Sequence, residues 1–155
     1  MHQSHQTKDK RMDSTDSQKL EAIVADLMAA YDVKLPPVPV EVMLARPREG
    51  MWDEMDINQL TGGFLRLTGP FSPRMSMARM LARHLVFSPW GTARGLPDLV
   101  GREEAQIRLL GRMLIMPRAL LAALPPAKRT PALISTDFEV PAEDALQRLE
   151  ELGLS

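Results

Sequence analysis

At 155 residues the chain is long enough for one domain with its own core and short for two. Its 45% hydrophobic and 25% charged residues match an ordinary globular protein, and the lack of cysteine excludes disulfides and thiolate-based metal or redox sites. The net charge of -1 conceals a partition: residues 1–65 hold 7 Lys/Arg against 11 Asp/Glu, residues 66–129 hold 11 against 3, and residues 130–155 hold 1 against 6.

Residues 1–16 are polar and are expected to form a disordered tail in which His2 and His5 are solvated. The opening segment has no apolar core of the signal-peptide kind, and no later run reaches the roughly 18 apolar residues of a membrane span. A protein of the cytoplasm is expected. Residues 17–155 should form a single domain. Leu20, Ile23, Val24, Leu27, Met28 and Tyr31 fall at helical spacing, with Asp16 or Ser17 as the cap. Pro36, Pro37 and Pro39 then impose an extended path, after which "VEVMLA" suits a short helix ending before Pro47. Gly62-Gly63 marks a turn, and residues 64–67, closed by Gly69-Pro70, read as a strand of a small sheet.

Ser72 and Pro73 make a helix start, and "RMSMARMLARHLVF" follows as far as Ser88-Pro89. "GTARGLPDLVG" reads as a loop, residues 102–115 as a second buried helix, and "PRALLAAL" as a short helix after Met116-Pro117. The terminal "STDFEVPAEDALQRLEELGLS" reads as a capped turn and a last amphipathic helix, with Ala145, Leu146, Leu149 and Leu152 inward and Gly153 as the stop. The elements together predict an α+β, mainly helical fold, with a two- or three-stranded antiparallel sheet packed beside a central buried helix.

The candidate central helix carries an unusual feature. Ser72, Ser76, Arg79 and Arg83 lie within an arc of about 60° on the helical wheel. Most of the remaining circumference is apolar, as in a helix covered on several sides. The two arginines therefore face either solvent or an internal cleft.

Laid without gaps on a helix reading F-T-L-A-H-E-L-G-H, "MSMARMLAR" resembles the zinc-binding helix of the ImmA/IrrE family of metallopeptidases. Downstream, "EAQIRLLGRMLIMP" resembles the family's E-x-x-A-N-x-F-A-x-x-L-L-M-P segment. "LPPVPVEVMLARP" and "DFEVPAEDALQRLEELGL" resemble its flanking segments. The resemblance spans about residues 20–154. It implies a zincin-like domain with a helix-turn-helix-like element over residues 134–153. It also places Arg79 and Arg83 at the two zinc-histidine positions, Met80 at the catalytic glutamate and Glu104 at the third metal ligand.

These replacements remove the chemistry. Two neutral imidazoles one turn apart share a zinc ion, and a neighbouring glutamate takes a proton from the bound water. Arginine stays protonated, offers no lone pair and repels a dication, and methionine is no base. Zinc is therefore not expected, and no catalytic residue is assigned. His84, paired at best with Met80 one turn back, makes a poor zinc set and reads as a hydrogen-bonded or partly buried structural histidine. Glu41, Glu103 and the acidic pairs Glu143-Asp144 and Glu150-Glu151 read as solvated faces or capping groups rather than general acids. The expected substitute for the metal is an Arg79–Glu104 or Arg83–Glu104 bridge in a metal-free cleft.

Three functions compete. The first is an inactive metallopeptidase relative that acts by protein binding; the resemblance implies a helix-turn-helix repressor of a stress or mobile-element circuit as its target. The second is a nucleic-acid-binding module using the basic segment 66–129, although the last helix is acidic and would repel phosphates. The third is a peptidase with an atypical site.

Overall fold

The computed structural model describes residues 13–56 and 71–154. Asp13 opens helix α1 (Ser14–Ala30) by accepting a hydrogen bond from the Asp16 amide at 2.8 Å. The cap thus lies three residues before the expected Asp16. Residues 13–16 are cap and first turn rather than tail, and the rest of the expected tail lies outside the described residues. The apolar periodicity of α1 is realised, with Leu20, Ile23, Val24, Leu27 and Met28 all buried. Helix α2 (Val40–Ala45) follows the prolines and buries Val40, Met43 and Leu44. Trp52 then folds back, its indole N–H donating to the Met43 carbonyl at 3.2 Å.

The expected strand at residues 64–67 lies outside the described residues, and among the described residues every regular element is a helix. The small antiparallel sheet is therefore corrected to a helical architecture. That sheet rested on one short alternating run. A strand needs a neighbour to take its backbone hydrogen bonds, and no strand is found among the described residues to serve as one.

Helix α3 (Ser72–Val86) is the centre of the molecule. Met75, Met77, Ala78, Leu81, Ala82, Leu85 and Val86 are buried on it. Beyond it, Ser88 donates through Oγ to the Leu85 carbonyl at 2.7 Å and accepts from the Gly91 amide at 3.0 Å. One hydroxyl thereby ends α3 and caps α4 (Pro89–Ala93). Any β-carbon at Gly91 would overlap the Leu85 carbonyl oxygen, so this reversal requires glycine. The expected loop over residues 91–101 instead holds the rest of α4 and a further turn, α5 (Leu96–Leu99), started by Gly95 at φ 81. A Ser-Pro pair and a Gly-Leu-Pro start each supply a helix beginning within what reads as loop composition.

Helix α6 (Glu104–Ile115) buries Ile107, Leu110, Met113, Leu114 and Ile115 and packs antiparallel along α3. They come close at Gly111, where an added β-carbon would lie 3.3 Å from the Arg79 Cα. After α7 (Arg118–Ala122) and a 3₁₀ turn at Pro126–Lys128, the chain ends in a helical hairpin. Thr130 caps α8 (Pro131–Phe138), which replaces the expected turn, and α9 (Ala142–Leu152) stops at Gly153 as read.

Helix α9 shows its inner face one step round from the expected one. Asp144, Ala145, Arg148 and Leu149 are buried, while Leu146 is 44% exposed and Leu152 half-buried. Two charged residues have taken an inward position that the sequence assigned to leucines. They can do so because opposite charges from other helices meet them there.

Candidate functional site

The antiparallel run of α3 against α6 brings Arg83 to the first turn of α6. Its Nη2 donates to the Glu104 Oε2 at 2.8 Å, and Arg108 Nε approaches the same oxygen at 3.6 Å. The hydrogen bond from Arg83 is the main force holding the Glu104 carboxyl below its usual range, with the Arg83 and Arg108 charges acting in the same direction. Of the two bridges expected for Glu104, the one to Arg83 forms. Of the two surroundings left open for the arginines, solvent or an internal cleft, Arg83 meets solvent, since the Arg83 and Glu104 side chains are 48% and 50% exposed. Both residues sit where their helices end at the surface.

Arg79 turns elsewhere. Its Nη2 lies 3.8 Å from the Asp144 Oδ1 of α9, and its Nε is buried without a hydrogen-bond partner among the described residues. Burial pushes the Asp144 carboxyl above its ordinary value; the Arg79 and Arg112 charges pull it down, and Glu143 and Glu151 push it further up. Met80 and Ser76 are half-buried, Met80 packing against the core. His84 is exposed, which corrects the expected structural histidine. It lies on the outer side of the last turn of α3, lining an open cleft of about 400 Å³ with Arg83, Phe87 and Arg102.

A second charged cluster was not foreseen. Arg148 is 1% exposed. Its Nε donates to the Met116 carbonyl at 2.9 Å and its Nη2 to the Glu21 Oε1 at 3.0 Å, joining α9, the end of α6 and α1. Burial draws the guanidinium pKa down, opposed chiefly by the Glu21 carboxylate. Beside it Arg112 pairs with Glu151, its Nε at 2.8 Å from the Oε2. At the other end of the hairpin Arg74 grips both Glu41 oxygens, at 2.8 and 2.6 Å, and donates to the Val38 and Glu139 carbonyls at 2.9 and 3.2 Å. The acidic pairs at 143–144 and 150–151 are thus not uniformly solvated, because Asp144 and Glu151 face these arginines. The available signal was the i, i+4 spacing of Asp144 and Arg148 in phase with Ala145 and Leu149.

Four such pairs join the basic middle segment to the acidic ends. Arg74, Arg79, Arg94 and Arg112 of the basic middle meet Glu41, Asp144, Asp26 and Glu151 of the acidic ends. Among the described residues no group of three or more His, Asp or Glu side chains is placed to hold a metal ion, and no helix is long and apolar enough to cross a membrane. Comparison with protein-family models, with characterised proteins and with solved structures finds no match to this chain.

Proposed function

We propose that this chain is a non-hydrolytic, protein-binding domain whose central helices resemble those of ImmA/IrrE metallopeptidases. Its target is a helix-turn-helix repressor and its setting the cytoplasm. The observation that carries the reading is the 2.8 Å contact between Arg83 and Glu104. At the positions where the resemblance implies a zinc histidine and the third zinc ligand stand a fixed cation and the carboxylate it occupies. A guanidinium neither ligates nor deprotonates, so zinc binding here would have to displace one positive charge and accept another. With Met80 at the base position, binding remains as the activity of this surface.

The pairing of Arg74, Arg79, Arg94 and Arg112 with carboxylates of the acidic ends weighs against the nucleic-acid alternative, since a paired guanidinium has less charge left for phosphates. Zinc analysis of the full chain purified without chelator, together with incubation of the chain with candidate repressors, tests the proposal. Substoichiometric zinc and an intact, co-eluting repressor are expected. One zinc per chain, or repressor cleavage that a chelator abolishes, would overturn the reading, and chelator-insensitive cleavage would point to an atypical peptidase site.

A further inference from the structure

A cavity of about 610 Å³ opens between the first two turns of α1, one face of α6 and the second half of α9, with Arg118 at the start of α7 in its wall. Its lining carries three guanidinium groups, of Arg112, Arg118 and Arg148, and three carboxylates, of Glu21, Glu150 and Glu151, so its formal charge is zero. Four of the six are spent within the fold. Arg148 donates to Glu21 at 3.0 Å and Arg112 to Glu151 at 2.8 Å. Arg118 and Glu150 differ: both are exposed, and neither side chain has an ion pair or hydrogen bond among the described residues. They do not pair with each other. The half-buried Leu109 and Leu152 give the same cavity an apolar part.

Sites for small molecules enclose roughly 300–1,000 Å³, are largely pre-formed, and combine apolar lining with a few placed polar groups. This cavity has those attributes. Its back wall is fixed by Arg148, 1% exposed and tied through Nε to the Met116 carbonyl at 2.9 Å. The charge balance then selects the ligand. A net anion would bring its charge up to Glu150 with nothing to offset it, and a net cation would do the same at Arg118. A neutral molecule carrying one carboxylate and one ammonium answers both groups and leaves the zero balance unchanged. A nucleic-acid backbone gains nothing from a surface without net positive charge.

We propose that this cavity binds a small apolar zwitterion of the α-amino acid or dipeptide class, its carboxylate on Arg118, its ammonium on Glu150 and its side chain against Leu109 and Leu152. The site uses neither Arg83 nor Glu104, and the inference goes beyond the protein-binding reading and stands independently of it.

NMR titration of the full chain with L-leucine and with leucyl-leucine tests the site, the N-acetyl and carboxamide forms of each deleting one ligand charge at a time. Saturable shifts with at least one parent compound are expected, and the tighter of the two distinguishes amino acid from dipeptide. Each blocked form should bind about tenfold more weakly than its parent, the loss of one charge-assisted contact. The variants assign the contacts. Arg118→Gln should remove the advantage of the zwitterion over its carboxamide and keep that over its N-acetyl form; Glu150→Gln should do the reverse. Both side chains are exposed and unpaired, so the amide spectra of the variants should match the original away from the cavity. No saturable shift with either parent, a blocked form that binds as tightly as its parent, or discrimination that survives both variants would each overturn the site.

Discussion

Replacing Arg148 by methionine probes the internal charge network most directly. Methionine keeps much of the length and apolar stem, so the loss is electrostatic rather than a cavity. It removes the hydrogen bond to the Met116 carbonyl at 2.9 Å and the pair to Glu21 at 3.0 Å. The Glu21 side chain, only 12% exposed, is left without its countercharge. Breaking one side of a buried pair costs about 3–5 kcal/mol, against a total stability of roughly 5–15 kcal/mol for a domain. Urea unfolding at pH 7 should therefore show a large drop in midpoint with an unchanged slope. Arg148→Met combined with Glu21→Leu should recover much of that loss, because no unpaired charge remains. A single-variant cost below about 1 kcal/mol, or a double variant less stable than the single, would refute the claim that Arg148 joins α1, α6 and α9 through charge.

The raised carboxyl of Asp144 fixes a sign for pH dependence. A folded pKa above the unfolded one gives stability that is present below the unfolded value, near 4, and lost as pH rises through the folded value. The stability of Asp144→Asn relative to the original chain should accordingly improve as pH rises from about 4, and urea midpoints over a pH series showing a constant difference would contradict it. Gly111→Ala should lower the melting temperature. Overpacking against the Arg79 backbone at 3.3 Å costs roughly 1–3 kcal/mol and outweighs a helix-propensity gain of about 1 kcal/mol. Glu104→Gln should leave the thermal midpoint close to that of the original chain, since the Arg83 pair is half in solvent; a steep fall would mean that the pair is buried.

Local signals in the chain located most helices. The 3.6-residue periodicity of Leu20 to Met28, the prolines at 36, 37 and 39 and the stop at Gly153 correspond to observed features. Glu104 and Arg83 are expected together only through the resemblance, which puts both at metal-ligand positions; periodicity contains no such pairing. The small sheet has no counterpart among the described residues, which are helical wherever they are regular. The loop before α6 was an under-reading, because its helical turns depend on where Ser88 and Gly95 place the chain rather than on apolar spacing.

Sequence by itself therefore determined where α1, α2, α3 and α6 lie and which of their faces are apolar, since both follow from neighbours within a few residues. Only the tertiary structure decided which charges meet. Arg83 and Glu104 are separated by 21 residues and Arg148 and Glu21 by 127, and at such distances an inward arginine and a solvated one look alike in the sequence. What distinguishes them is the carboxylate that packing delivers.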